Sequence, residues 1–425
     1  MGYTARVIRV IALLILFTLA TVSLVVAGWE QTTTEIDSIY EVIPDDAVIH
    51  VSKDITFTNL DSDTRYWQGY YSDINHNVPD DAKNIHAYDS SGILEFHSTD
   101  SDHYTFEFSG KVWYEDVYTL NVEYDLDASS NTATFYVNEP ENTDISIVVP
   151  QGYETYIGTD TYTTEEMPEK TIFELESRSD QRTTFLVDAV RHTEMNTISD
   201  IVQLENRDVK VTIEFWDGEE EWANGMLDVA VESLPVLENV WGFPYPVNYN
   251  ITIIQTSLSD TNGYGGSNNW SNGISMLHTS GYPILIHELA HYWTQACNFE
   301  QLWMDEGYAD LYAYIVLNQT HPQDGEDRKD RFFEIYETLK PTQDIVLSDW
   351  STPGEFTELN SDQIQYGYKK SFALTYTIYD EIGLENMRTA NTQFLGYVDI
   401  DSAEHRDIIE SVSGKDLDSI YDEFI

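Results

Sequence analysis

The sequence predicts a multidomain protein: an N-terminal antiparallel β-sandwich, then an α/β-to-helical domain, the two preceded by one transmembrane helix. Three observations carry this. Apolar and polar residues alternate with period two through much of residues 40–195, the texture turns mainly helical beyond about 205, and an uncharged apolar run occupies Val10–Ala27. The limits read from these features are 1–30 for a membrane anchor or signal segment, 40–200 for the sandwich and 205–425 for the second domain. A length of 425 residues accommodates two or three such cores.

Val10–Ala27 follows Arg6 and Arg9. As a helix its eighteen residues span about 27 Å, close to one hydrocarbon core. A cleaved signal usually has a shorter apolar region, and Val25-Val26-Ala27-Gly28 is an imperfect cleavage sequence, so the segment reads as an uncleaved anchor. Arginines before the span and acidic sequence after it describe a single-pass cell-membrane protein with its main body outside the cytoplasm.

The sandwich strands are read from alternation. Ile49, Val51, Ile55 and Phe57 are apolar between mostly polar neighbours, and Tyr118-Thr119-Leu120-Asn121-Val122-Glu123-Tyr124-Asp125-Leu126 alternates more strictly. Tyr104–Phe108, Thr134–Asn138, Ile145–Val149, Thr171–Leu175 and Thr183–Val187 follow the same rule, which means one wet face and one buried face. His50, His76, His86, His97, His103 and His192 are scattered here without ligand spacing and read as structural or surface residues.

In the second domain Val209–Phe215 and Ile251–Ile254 read as strands. Glu219–Asn239 reads as a helix with Pro235 inside it, and Asp260–Asn272, rich in Gly, Asn and Ser, as a loop. Gly273–Ser280 is expected to be a strand leading into the next helix, and His321–Asp327 a polar connector.

With Lys+Arg 21 against Asp+Glu 75, the formal net charge is −54. Such a surface cannot neutralise phosphates, which excludes nucleic acid as a partner. Dispersed acidity with few lysines fits a halophilic protein, because high salt screens the self-repulsion. The single Cys297 forbids an intramolecular disulfide and reads as a small buried residue. Asn250, Asn269 and Asn318 open glycosylation sequons that are common by chance.

The chemistry is concentrated in His287-Glu288-Leu289-Ala290-His291. On a helix this spacing sets two imidazoles one turn apart on one face, with the glutamate directed into the same cleft as a base. The surrounding run from Gly281 to Trp293 is apolar, and Pro283 suits a first-turn position. Holding zinc with one position open for water needs a third ligand. Glu306, on the next helix with fourteen residues between it and His291, supplies one; Glu300 is the alternative. One Zn2+ held by His287, His291 and Glu306, with Glu288 as base, makes a hydrolase.

His287–Trp293 together with Trp303-Met304-Asp305-Glu306-Gly307-Tyr308-Ala309 resembles the gluzincin metallopeptidases, most closely the aminopeptidase N-type family with its Trp-x-x-Glu-Gly-Phe-Ala helix. Tyr368-Lys369-Lys370-Ser371 is similar to that family's Tyr-Glu-Lys-Gly segment, and Val412–Leu417 to the close of its catalytic domain. The resemblance implies a thermolysin-like catalytic domain, zinc as cofactor, a peptide or protein substrate, and Tyr368 as hydrogen-bond donor to the tetrahedral intermediate. Tyr366 competes for that last role. It also leaves Asp310 either orienting a zinc-bound histidine or lying on the helix surface.

Two departures stand out. The connection between His291 and Glu306 is shorter than is usual in the family. Where the family's Gly-x-Met-Glu-Asn motif places a carboxylate on the substrate's free amine, this chain has Gly265-Gly266-Ser267-Asn268-Asn269-Trp270, with Asn268 in place of the glutamate. An amide lacks the charge that selects an ammonium group, so endopeptidase and aminopeptidase both stay open. Residues 273–280 are expected to offer an extended peptide a sheet edge, with His278 in the cleft wall. The competing reading is a catalytically idle cell-envelope binding protein on a peptidase-like scaffold, against which the intact Glu288 argues.

Overall fold

The structure is a computed structural model that describes residues 32–425 except 63–68, 100–101, 160, 177–181, 262 and 351–360. The apolar segment Val10–Ala27 lies outside the described residues. Among those described, no helix is long and apolar enough to cross a membrane. The chain divides into two compact units, the second beginning at Thr193.

The first unit is β-rich. Its eight-stranded sheet runs, in spatial order, Thr163–Glu166, Lys170–Glu176, Thr143–Pro150, Thr32–Ile43, Val48–Asn59, Val117–Asp127, Lys83–Asp89 and Gly92–Ile93. One three-stranded sheet is ordered Glu154–Ile157, Thr183–Val190, Thr132–Glu139, and another Tyr70–Asn77, His103–Trp113, Phe96–Ser98. Side chains from all three sheets, such as Val51, Phe106 and Phe135, meet in one apolar core. The alternation read from sequence is the alternation of burial: Ile49, Val51, Ile55 and Phe57 face inward.

Two expectations need correction. The large sheet is mixed, because Thr32–Ile43 runs parallel to Thr143–Pro150, with Ile36 opposite Thr143. Parallel pairing needs a long crossover, which the many residues between these strands supply and which no local pattern reveals. That first strand also begins at Thr32, ahead of residue 40. Lys53 occupies an inward position and is almost fully buried, with Nζ 2.8 Å from Glu139. Tyr40 donates its hydroxyl to the same carboxylate. A lone buried ammonium would cost several kcal/mol, so the pair is what makes this position tolerable.

The second unit has a five-stranded sheet ordered Met195–Gln203, Asp208–Trp216, Ile251–Thr256, Ile274–Leu277, Gly266–Asn268. Met195–Gln203 pairs with Asp208–Trp216, so this unit starts before residue 205. Eight α-helices follow among the described residues: α1 (Glu220–Trp241), α2 (Tyr282–Thr294), α3 (Leu302–Thr320), α4 (Pro322–Leu339), α5 (Ser361–Ile382), α6 (Leu384–Phe394), α7 (Ser402–Ser413) and α8 (Asp418–Phe424). Met226, Leu234 and Leu237 of α1 are buried as the apolar spacing requires, and Pro235 is accommodated inside the helix.

The stretch expected to be a loop over 260–272 contains the strand Gly266–Asn268, which folds back on Ile274–Leu277. Gly273 makes that reversal at φ +99°, where an added Cβ would lie 2.6 Å from the Thr252 carbonyl oxygen. Ile274–Leu277 is therefore an interior strand, paired on both sides, and the sheet edge belongs to Gly266–Asn268. The supposed connector over 321–327 is mostly the first turn of α4, begun by Pro322, whose fixed φ suits a helix start.

Candidate active site

Helix α2 begins at Gly281 in an extended conformation, with a proline in its first turn, and every residue from Leu285 to Thr294 is buried. A helix apolar on all sides belongs inside a core. Its three polar motif residues are thus the exceptions, and each is paired. The His287 and His291 Nε2 atoms lie 3.2 Å apart, and Glu306 Oε2 is 3.2 Å from the first and 3.7 Å from the second. Donors sharing a tetrahedral zinc at about 2.0–2.1 Å stand roughly 3.3 Å from one another. The spacing fits zinc.

The outer ring nitrogens are occupied elsewhere. His287 Nδ1 is 2.9 Å from Asp310 Oδ1, while His291 Nδ1 lies 3.3 Å from Thr294 Oγ1 and 3.5 Å from Asp305 Oδ1. These contacts fix both rings with Nε2 turned toward Glu306. Burial pulls the basicity of each imidazole down, yet nearby carboxylates outweigh it. Asp310 and Glu306 hold His287 up at about 10, and Asp305 and Glu306 hold His291 at about 9. The surroundings demand positive charge at this point, the demand a divalent cation meets.

Asp310 is a buried orienting residue and not a helix-surface group: besides His287 it accepts from Arg328 Nη2 at 2.7 Å. Burial raises its carboxyl, but His287, Lys369 and Arg328 more than reverse that and leave it well below the ordinary range.

Glu288 points into the same space, beneath the edge strand. A Cβ on Gly266 would sit 2.9 Å from Glu288 Cγ and 3.0 Å from its Oε1, so only glycine lets the strand come this close. Burial raises the Glu288 carboxyl; both histidines and the Asn268 backbone N–H pull it down, and Glu306 pushes it up.

The short connection to Glu306 works because it is tied down at its midpoint. A 3-10 turn over Gln295–Cys297 ends at Asn298, which takes the left-handed conformation at φ 53°. Ile400 then donates its N–H to Asn298 at 3.0 Å and accepts from Glu300 at 3.0 Å. Glu300 is consequently an exposed residue of the connector and lies away from the histidines. Gly307 lets α3 approach α5, since a Cβ there would meet the Ser371 carbonyl oxygen at 2.9 Å. Thr375 Oγ1 donates to the Gly307 carbonyl at 2.9 Å across the same contact.

That contact brings Tyr368 into a cleft of about 810 Å³ lined also by His287, Glu288, His291, Glu306 and Asn268. Burial, reinforced by Glu306, raises the Tyr368 phenol far above its usual range. Tyr366 faces elsewhere, stacked on Tyr336 at 5.7 Å. Asn268 is held at both ends: its Nδ2 donates to the Glu288 carbonyl at 2.7 Å, and its Oδ1 accepts from Trp270 N at 2.8 Å. His278 is not in the cleft wall; it packs near Trp216, with ring centroids 5.8 Å apart. Sequence reasoning missed Tyr264, Asp305, Arg328, Arg331 and Lys369, all of which line the cleft. Tyr264, Asp305 and Lys369 each adjoined a motif residue; Arg328 and Arg331 carried no signal.

Residues 226–424 match the peptidase family M1 domain. No curated relative matches the chain. Among solved structures, the M1 zinc metallopeptidase from Deinococcus radiodurans is 13% identical, with 94% of this chain and 95% of that one covered at a TM-score of 0.41. A point mutant of it gives 12%, 94%, 95% and 0.42. A two-domain M1 zinc metallopeptidase mutant bound to L-tryptophan gives 12%, 93%, 95% and 0.41. The domain match spans the whole of the site just described, and its zinc-compatible donors are those of His287, His291 and Glu306. The second unit thus carries a peptidase family M1 domain of the aminopeptidase N-type gluzincins, and the chain is a zinc metallopeptidase.

Proposed function

We propose that this protein is a membrane-anchored, extracytoplasmic peptidase that cleaves peptide bonds at the His287–His291–Glu306 centre without needing a free amine on its substrate. The observation that carries it is the convergence of those three donors beside Glu288, under a sheet edge open to an extended chain. A peptide strand pairs with Gly266–Asn268 by main-chain hydrogen bonds, which laces the scissile bond over Glu288.

Zinc, when bound, supplies a Lewis acid that polarises the carbonyl and acidifies water. Glu288 takes the proton of the attacking water and passes it to the leaving nitrogen; burial, by raising its proton affinity, suits it to that exchange. Asp310 holds the His287 ring in register. Tyr368, kept protonated by burial and by Glu306, donates to the developing oxyanion. Loss of one such donor costs about 2.7–4 kcal/mol of barrier. Tyr368→Phe is therefore expected to lower kcat by about 10²–10³-fold with KM little changed. An unaltered kcat would transfer the role to Tyr264, which lines the same cleft.

Free-amine selection needs a fixed negative charge, and Asn268 is neutral, its amide held by the Glu288 carbonyl and the Trp270 N–H. A dipeptide with a blocked N-terminus is accordingly expected to be hydrolysed at least as well as its free-amine counterpart, and a chelator stops both. Cleavage confined to the free-amine peptide would remove this reading.

The membrane and export parts rest on Val10–Ala27, the arginines before it and the acidic chain after it. Mature protein is expected in the membrane fraction with Val10–Ala27 retained. Mature chains beginning near Gly28 would dismiss the anchor and leave export standing.

A further inference from the structure

One wall of the cleft reverses the charge of the rest of the protein. The chain has 21 Lys and Arg against 75 acids, yet Arg328 and Arg331 of α4 and Lys369 of α5 gather beside Tyr368. Phe332 organises the cluster: Lys369 Nζ lies 3.4 Å from its ring centroid and Arg328 Cζ 4.4 Å. Arg328 is already neutralised by Asp310 at 2.7 Å. Asp327 also lines this wall, and its carboxylate accepts from Gln323 Nε2 at 2.7 Å. Lys369 and Arg331 have no hydrogen bond or ion pair with any described residue. Burial pushes the Lys369 ammonium down to about 8; Asp310 opposes this, while Arg328 and Arg331 add to it. The nearby Asp310 carboxylate is already paired with His287 and Arg328, so Lys369 makes no direct ion pair, and ring contact replaces only part of what a carboxylate gives.

We propose that Lys369 and Arg331 form a carboxylate-binding subsite, so that the enzyme prefers peptides presenting a carboxylate to the α4–α5 wall. This rests on the peptidase reading of the cleft. The carboxylate comes from an acidic side chain or from the C-terminus, two sources with the same chemistry. It accepts charge-assisted hydrogen bonds from both cations at once. The overall charge of −54 repels such a substrate at a distance, so the preference is a property of short-range pairing and not of steering.

The test uses the full zinc-loaded chain and fluorescent peptides in matched pairs: one internal Glu against Gln, and a C-terminal acid against its amide. Binding is read by fluorescence anisotropy with the Glu288→Gln protein, and kcat/KM with the unmodified protein. In at least one pair the acidic member is expected to bind about tenfold more tightly or better; the pair that responds identifies the source. Arg331→Gln, at an exposed position, and Lys369→Met each bring that ratio toward one, whereas Arg331→Lys retains much of it. Equal binding within both pairs, or a preference that survives both neutral variants, overturns the subsite. Turnover without preference removes the subsite and keeps the peptidase. Preference in binding without turnover does the reverse.

Discussion

Glu288→Gln is expected to keep one equivalent of zinc while lowering kcat by about 10²–10⁴-fold, the usual worth of a positioned general base. The replacement is close to isosteric, so the approach of Gly266 is preserved and none of the three metal donors is touched. What disappears is the carboxylate that lines the cleft beside the three donors without being a donor or being tied to an outer ring nitrogen of either histidine. Folding should not suffer, since burial already disfavours the charged carboxyl and a neutral amide escapes that cost. Metal analysis alongside hydrolysis of a quenched peptide checks both halves. Full metal with undiminished turnover would mean that another group moves the proton.

His291→Ala removes metal and activity together. Outer partners of ligating histidines are worth about 10–100-fold in affinity; loss of a ligand itself exceeds that and should leave the purified protein without stoichiometric zinc. Because a ligand that binds only the folded state adds stability by mass action, a chelator should lower the melting temperature of the unmodified protein and leave that of His291→Ala unmoved. The site itself favours a cation: Glu306 and Asp310 flank His287 at 3.2 and 2.9 Å and both draw positive charge to this point. A variant that retains one equivalent of zinc would mean that His291 is not a ligand.

The site was more legible than the fold around it. His287, Glu288 and His291 could be placed because a helix converts sequence spacing directly into a shared face. Glu306 was legible from its Trp-x-x-Glu-Gly context, and Gly307 shows why that glycine is there: without it α3 could not close on α5. Tyr368 and Tyr366 lie on the same helix two positions apart, and only the packing of Tyr366 on Tyr336 separates them. Asp310 was undecidable for a similar reason, since nothing local reveals a facing Arg328 from the next helix.

The strands divide along the same line. Val48–Asn59 and Val117–Asp127 were readable because one face is buried and the other wet. Thr163–Glu166 is exposed along its whole length and shows no alternation. Gly266–Asn268, half-buried and rich in small polar residues, looked like a loop, yet it forms the sheet edge over the active site.

Composition and local period were enough to read a β-rich half, a helical half, a surface dominated by acid, and a zinc hydrolase centre on one helix and its successor. Those are properties of composition and of periods shorter than about seven residues, which the chain carries locally. The tertiary fold settled the mixed pairing of the large sheet, the identity of the edge strand, the tyrosine in the cleft and the cationic wall beside it. Each depends on contacts between residues far apart in the chain, whose meeting is set by whole-domain packing and leaves no trace in any short stretch.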